Sequence, residues 1–267
     1  MQPSQVLFQG EALPRALPVC DHYAGTEVRM RKALALQAEL GPVFDITFDC
    51  EDGAPVGKEA EHAQLVADIL LSSDNRFNRV GVRIHDPSHS CWKADVATLI
   101  KQAGKKIAFV MIPKVVSATQ TQSIIDEINH VAKTANIGRV IPIQVLIETH
   151  GALQDVQAIA ALEQVESLSF GLMDFVSAHG GAIPSSGMGL LGQFTHPLVV
   201  RAKLEIASAC HAHGKVPSHC VVTEFSDLEA IKVAATKASR ELGYTRMWSI
   251  HPDQIRPIIE SFSPDPM

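Results

Sequence analysis

"VFDITFDCEDGAP", residues 43–55, is an apolar run that ends in acid. Its first seven residues read as a buried strand. Asp49, Glu51 and Asp52 then fall within four positions, and Gly53 and Pro55 turn the chain. A helical segment with a mixed charged and apolar face follows at once. The same unit, apolar strand then polar end then helix, recurs along the whole chain.

Strands are expected at residues 16–21, 43–49, 80–85, 108–113, 141–148, 167–174, 216–222 and 246–252. Most are continuous apolar runs, as parallel strands covered on both faces should be. Between them lie segments of helical periodicity, such as "EVRMRKALALQAEL", which stops at Gly41-Pro42, and "LQDVQAIAALEQV". Eight evenly spaced strand–helix units predict an α/β protein with a (β/α)8 TIM barrel. A doubly wound open sheet is the competing arrangement, and the even spacing favours closure. The barrel is expected to be one domain over residues 16–267, behind an N-terminal extension at 1–15.

Composition narrows the function. The 267 residues are 46% hydrophobic and carry a formal net charge of -6, with no basic stripe of the kind nucleic acid requires. Five cysteines at irregular spacing suit reduced thiols in the cytoplasm better than a disulfide framework. No window approaches a membrane span, and the N-terminus does not read as a secretory signal. A soluble intracellular protein that handles a small molecule is the expectation.

A barrel places its chemistry at the C-terminal ends of its strands. Those ends carry Glu51 and Asp52, Arg83 with His85, Lys114, Glu148, Asp174 and "SIHP" at 249–252. Carboxylates ending neighbouring strands, about 4.8 Å apart, can grip one cation, and oxygen-only ligation suits Mg²⁺. The alternative is that Glu148 and Asp174 pair with Arg83 or Lys114. Arg83 is either a bidentate clamp for a substrate carboxylate or the partner of Glu51 and Asp52. "CHAHGKVPSHC", residues 210–220, has only borderline spacing for zinc and falls largely at the barrel's floor. The long glycine-rich loop after Asp174 is a flap, a diphosphate contact or merely a loop.

Six ordered motifs, "DCEDGAPVGKEAEHA", "GVRIHDP", "VMIPKVVSA", "VLIETHGALQDVQAIA", "LSFGLMDF" and "MWSIHPDQI", resemble the HpcH/HpaI aldolase–citrate lyase β-subunit family over roughly residues 40–258. The resemblance implies a TIM barrel that binds Mg²⁺, with Mn²⁺ as a substitute. It implies cleavage of carbon–carbon bonds in citryl-CoA, malyl-CoA or small 2-oxo acids. By motif, Glu148 and Asp174 become the metal ligands, with Asp174 also touching substrate. Arg83 becomes a catalytic, carboxylate-binding residue, and Glu51 and Asp52 become catalytic acids beside the metal's waters. A homotrimer or hexamer is implied as well.

The chain departs from the family pattern in three places. Its first strand region reads "RALPVCDHYAGTE", placing Asp21, His22 and Tyr23 where the family has an Arg-Ser motif, and "RIH" stands where the family has "RIN". It also ends soon after "SIHP", so the C-terminal lid that supplies an aspartate base in malyl-CoA lyases is expected to be missing. The base is left open between water, His22 and His85. A free 2-oxo acid aldolase, and a non-catalytic homologue that binds an acid or acyl-CoA, are the rival functions.

Overall fold

The computed structural model describes residues 17–263; the expected extension at 1–15, residue 16 and the last four residues lie outside that range. Eight parallel strands close into a barrel: β1 (Cys20–Ala24), β2 (Asp45–Asp49), β3 (Val80–Arg83), β4 (Ile107–Ile112), β5 (Ile143–Ile147), β6 (Val165–Phe170), β7 (Val216–His219) and β8 (Arg246–Ser249), which pairs back onto β1. The expected TIM barrel is therefore the fold.

Two strands depart furthest from expectation. The first runs later than 16–21, because the apolar "ALPV" leads into the strand and the polar "DHYA" forms it. The sixth ends at Phe170 rather than 174. Asp174 consequently sits in the first turn of a helix, Leu172–Ala178, instead of at a strand end.

Helices follow the strands on the outside: α1 (Glu27–Leu40), α2 (Glu59–Leu71), α3 (Trp92–Ala103) and α4 (Ala118–Thr134), then α5 (His150–Gln154), α6 (Val156–Ala161) and α7 (Leu172–Ala178). The series closes with α8 (Gly192–Thr195), α9 (Pro197–Ala212), α10 (Leu228–Arg240) and α11 (Ile255–Phe262). The segment expected as one helix near 153–165 is broken at Asp155, whose carboxylate turns away to accept the Ala118 N–H at the start of α4 (2.6 Å). Ser117 and Thr149 accept from Gln120 N and Ala152 N and so cap α4 and α5. The glycine-rich loop carries a turn of 3₁₀ helix at Ser185–Met188 and then α8. No helix among the described residues is long and apolar enough to cross a membrane.

Side-chain alternation separates two interiors. On β2, Ile46 and Phe48 join the large apolar core between barrel and helices. Asp45, Thr47 and Asp49 point the other way, into the barrel, where they meet Arg246, Asp21 and Arg83. Phe109, Met111, Leu146 and Trp248 form a separate apolar cluster inside the barrel. Gly81 makes room for it, since a Cβ there would lie 2.2 Å from the Phe109 ring.

The barrel floor is a closed ion cluster. Arg246 is fully buried and reaches Asp45 (2.6 Å) and Asp21 (3.1 Å). Arg79 holds the other Asp45 oxygen at 2.7 Å, and Thr47 donates to Asp21 at 2.8 Å. Two arginines face two aspartates there, so the floor is electrically balanced.

Candidate active site

At the opposite end, Arg83 closes β3 and is 5% exposed. Its Nε and Nη2 donate to the two oxygens of Asp49 at 2.6 and 2.9 Å, a two-pronged pair. Nη2 also donates to Asp52 (2.8 Å), and Nη1 lies 3.0 Å from Glu51. Asp49 accepts further bonds from the Tyr23 hydroxyl (2.7 Å) and from the backbone N–H groups of Glu51 and Gly53. Burial alone would raise the Asp49 carboxyl. The Arg83 charge and the donors around it outweigh burial and hold it below the usual carboxylate range.

Lys114 links this cluster to the next pair of acids. Its backbone is left-handed (φ 49°), which lays its N–H on Glu148 Oε1 at 2.8 Å while the side chain reaches Glu51 at 2.8 Å. The same ammonium lies 3.8 Å from Asp174. Glu148 is 3% exposed and follows β5 directly. Its other oxygen lies over Gly171, where a Cβ would approach to 2.1 Å. Burial, then the charges of Asp174 and Glu51, push the Glu148 carboxyl up to about 8. Burial also raises Glu51, against the pull of Arg83 and Lys114.

Five carboxylates thus converge on two cations, and the excess negative charge lies at Glu148 and Asp174. A divalent cation fits that deficit. Among the described residues no three His, Cys, Asp or Glu side chains are placed to hold a metal by themselves. Two carboxylates leave most of the coordination sphere to water and substrate, the pattern Mg²⁺ favours. The 210–220 segment likewise forms no metal cluster among those residues: its histidines and cysteines are spread over the end of α9, the turn after it, and β7 with the residue that follows.

Glu148 and Asp174 face two cavities. One, about 270 Å³, lies over the barrel axis beside Arg83 and has an apolar far side of Tyr23, Leu146, Phe170, Val221 and Trp248. The other, about 540 Å³, opens laterally past Asp86, Ser88, Lys114 and His150. A larger hollow, about 650 Å³, lies toward the floor near Asn129, Gln164 and Lys215. Its polar groups bond one another and nearby carbonyls, with Gln164 on Asn129 and Lys215 on Leu162 O. Glu163, Glu166 and Lys215 also line it, but it lies away from the C-terminal strand ends where a barrel places its chemistry.

The structure gathers Glu51, Asp52, Arg83, Glu148 and Asp174 into one site. Arg83 is the ion-pair hub of the site, holding Glu51 and Asp52 together with Asp49. The two histidines considered as bases are not in it. His22 turns outward to Ser249 Oγ (2.9 Å) and packs against Phe44, while burial lowers its pKa to about 4. His85 turns outward to Asp95 on α3 (2.6 Å). The sequence reading leaves Asp49 without a role and does not place Tyr23 beside Arg83; for Lys114 it offers pairing with Glu148 or Asp174, whereas the ammonium lies against Glu51 and, at 3.8 Å, Asp174, and only the backbone N–H meets Glu148. The alternation of β2, read as D-T-D inward, was the available signal for Asp49.

An eight-stranded parallel barrel with its charged groups gathered at the C-terminal mouth has the outline of a barrel enzyme. The HpcH/HpaI aldolase/citrate lyase family model matches residues 32–252, and the chain belongs to that family, making it a carbon–carbon lyase. It is similar to an L-malyl-CoA/beta-methylmalyl-CoA lyase of Cereibacter sphaeroides, 26% identical over 82% of this chain and 71% of that protein. The mitochondrial citramalyl-CoA lyase of Rattus norvegicus is 24% identical over 90% of this chain and 69% of its own length. Among solved structures, a citrate lyase from Burkholderia xenovorans is 55% identical, with a TM-score of 0.91 over 94% of this chain and 78% of that one. The citrate lyase beta subunit of M. tuberculosis, complexed with oxaloacetate and magnesium, is 21% identical with a TM-score of 0.73 over 93% of this chain and 98% of that one, a likeness of fold.

Proposed function

We propose that this lyase cleaves or forms a carbon–carbon bond in a carboxylated 2-hydroxy or 2-oxo acid, presented as a CoA thioester, with Mg²⁺ as cofactor. The observation that carries the reading is the charge deficit at Glu148. It is a buried carboxylate pushed up to about 8 beside Asp174, at the mouth of a family barrel. Support for a thioester comes from relatives named as malyl-CoA and citramalyl-CoA lyases. Support for magnesium comes from the donor set and from the complexed M. tuberculosis structure.

Glu148 and Asp174 would hold the cation, which would supply Lewis acidity toward the hydroxyl or keto oxygen at the acid end of the substrate. Arg83 presents its remaining N–H capacity to the substrate's acid end, and Asp49 fixes the guanidinium plane by two bonds. Glu51 and Asp52 keep Arg83 oriented and stand beside the cation's waters. Lys114 holds Glu148 through its backbone N–H and Glu51 through its ammonium. Neither His22 nor His85 faces the cavity, and among the described residues the mouth carboxylates, or water beside them, are placed to take the proton of the substrate hydroxyl.

Purified protein, assayed with Mg²⁺ against malyl-CoA, citryl-CoA and 4-hydroxy-2-oxo acids, tests this. Turnover of one thioester is expected, with Glu148→Gln reducing it by a factor of about 10³. Binding of oxo acids with no turnover of any substrate would instead make the chain a binding homologue. Cleavage confined to the free acids would make it a 2-oxo acid aldolase.

A further inference from the structure

Three acids share the Arg83 guanidinium, and they are held very unequally. The Asp49 side chain is 0% exposed and takes Nε and Nη2 of Arg83, the Tyr23 hydroxyl and two backbone N–H groups. Glu51 is 6% exposed and is shared between Nη1 of Arg83 and the Lys114 ammonium. The Asp52 side chain is 64% exposed, and Arg83 is its one ion-pair partner among the described residues. Of the three, Asp52 alone lines the axial cavity.

A guanidinium can take a carboxylate on two prongs along either of two edges, Nε with Nη2 or Nη1 with Nη2. Asp49 fills the first edge and is too enclosed to leave it. The second edge carries Asp52 on Nη2 at 2.8 Å. An acid that comes to sit squarely on Arg83 therefore meets Asp52 on the one edge left. Added beside the other three, it would put four carboxylates around one guanidinium, next to the apolar walls of Leu146 and Phe170 where repulsion is poorly screened. Exchange avoids that cost. An exposed ion pair contributes little, and Asp52 regains full hydration when it turns away.

We infer that Asp52 stands in for the substrate's carboxylate before substrate binds, and that the acid displaces it from Arg83 Nη2. Asp52 is then a specificity-determining residue. A ligand with a single neutral acceptor loses to the tethered carboxylate, whereas a two-pronged carboxylate wins by its second bond, to Nη1. This rests on the lyase reading above, which brings the acid end of the substrate to Arg83.

Calorimetry with pyruvate at saturating Mg²⁺ tests the exchange. Asp52→Asn and Asp52→Ala remove the competing charge and should bind pyruvate roughly fivefold tighter than the unsubstituted protein. Asp86→Asn removes a charge from the lateral cavity without touching Arg83, and should change pyruvate binding by less than about twofold. A residue needed only to orient Arg83 would give the opposite sign, weaker binding on its removal. Crystals of the unsubstituted protein with Mg²⁺ and pyruvate supply an arm that needs no variant. They should show the pyruvate carboxylate on Nη1 and Nη2, with Asp52 turned off Nη2. Weaker or unchanged binding in both Asp52 variants, equal tightening in Asp86→Asn, or Asp52 still on Nη2 beside bound pyruvate would overturn the assignment. Pyruvate that shows no Mg²⁺-dependent binding, or that binds away from Arg83, would overturn the underlying lyase reading instead.

Discussion

The barrel contains two buried ion clusters, and they are built to opposite rules. At the floor, Arg246 and Arg79 meet Asp21 and Asp45, charge for charge. At the mouth, Arg83 and Lys114 meet five carboxylates, and Glu148 is the one left without a cation within contact. A cluster that closes on itself has nothing to offer a ligand. A cluster whose carboxylates outnumber its cations is a site waiting for a cation, and its geometry is maintained by the part that is closed, the Arg83–Asp49 pair.

The floor should break first. Arg246→Met strands buried Asp21 and leaves Asp45 with Arg79 alone, and denaturant unfolding should show a loss of about 3–5 kcal/mol. The KM of whatever protein still folds should be unchanged, because Arg246 lies below the cavity. A large change in KM with little loss of stability would erase the distinction between the two clusters.

The mouth should respond to pH and metal. The Glu148 carboxyl is raised, so the metal-free fold is favoured while it stays protonated, and that contribution is lost as pH climbs from the unfolded value through about 8. Mg²⁺ must displace this proton. Calorimetry in buffers of different ionisation heat should find close to one proton released per ion well below pH 8 and almost none above pH 9 or so. The stabilisation that Mg²⁺ gives in thermal melts should grow over the same interval. Release that does not vary with pH would remove Glu148 from the ligand set.

The smallest effect concerns Lys114. Its ammonium, 3.8 Å from Asp174, competes with any cation held there. Lys114→Met should tighten Mg²⁺ binding severalfold while weakening substrate turnover, since partly exposed charges contribute modestly. Weaker Mg²⁺ binding in that variant would mean that Lys114 holds Glu148 in place more than it repels the ion.

The barrel was legible in the sequence because most strands lie in or beside an apolar run bounded by a polar end, and eight such runs at even spacing leave few alternatives. The mouth residues were legible for the same reason: Arg83 and Glu148 stand where the apolar run stops. Facing was harder to read. Reading the strands as continuous runs hid the alternation that sends Asp49 and Tyr23 inward and His22 outward, so a functional partner was left open and a buried histidine was considered as a base. Asp174 was assigned to the site although its local structure was misjudged, because a helix starting two residues after a strand still projects over the mouth. The Lys114 contacts depend on a left-handed backbone that no apolar pattern announces.

Gly171 deserves a last consequence. A methyl group at that position would overlap the Glu148 carboxylate. The reach of a key acid is therefore set by an atom that is missing just past the end of the next strand. Loss of activity can arise here without touching any group that reacts, and a survey of variants restricted to charged mouth residues would overlook it. It also limits how the site could be rebuilt for other chemistry. The acid at position 148 and the glycine at 171 would have to change together, so a single substitution at either is a dead end.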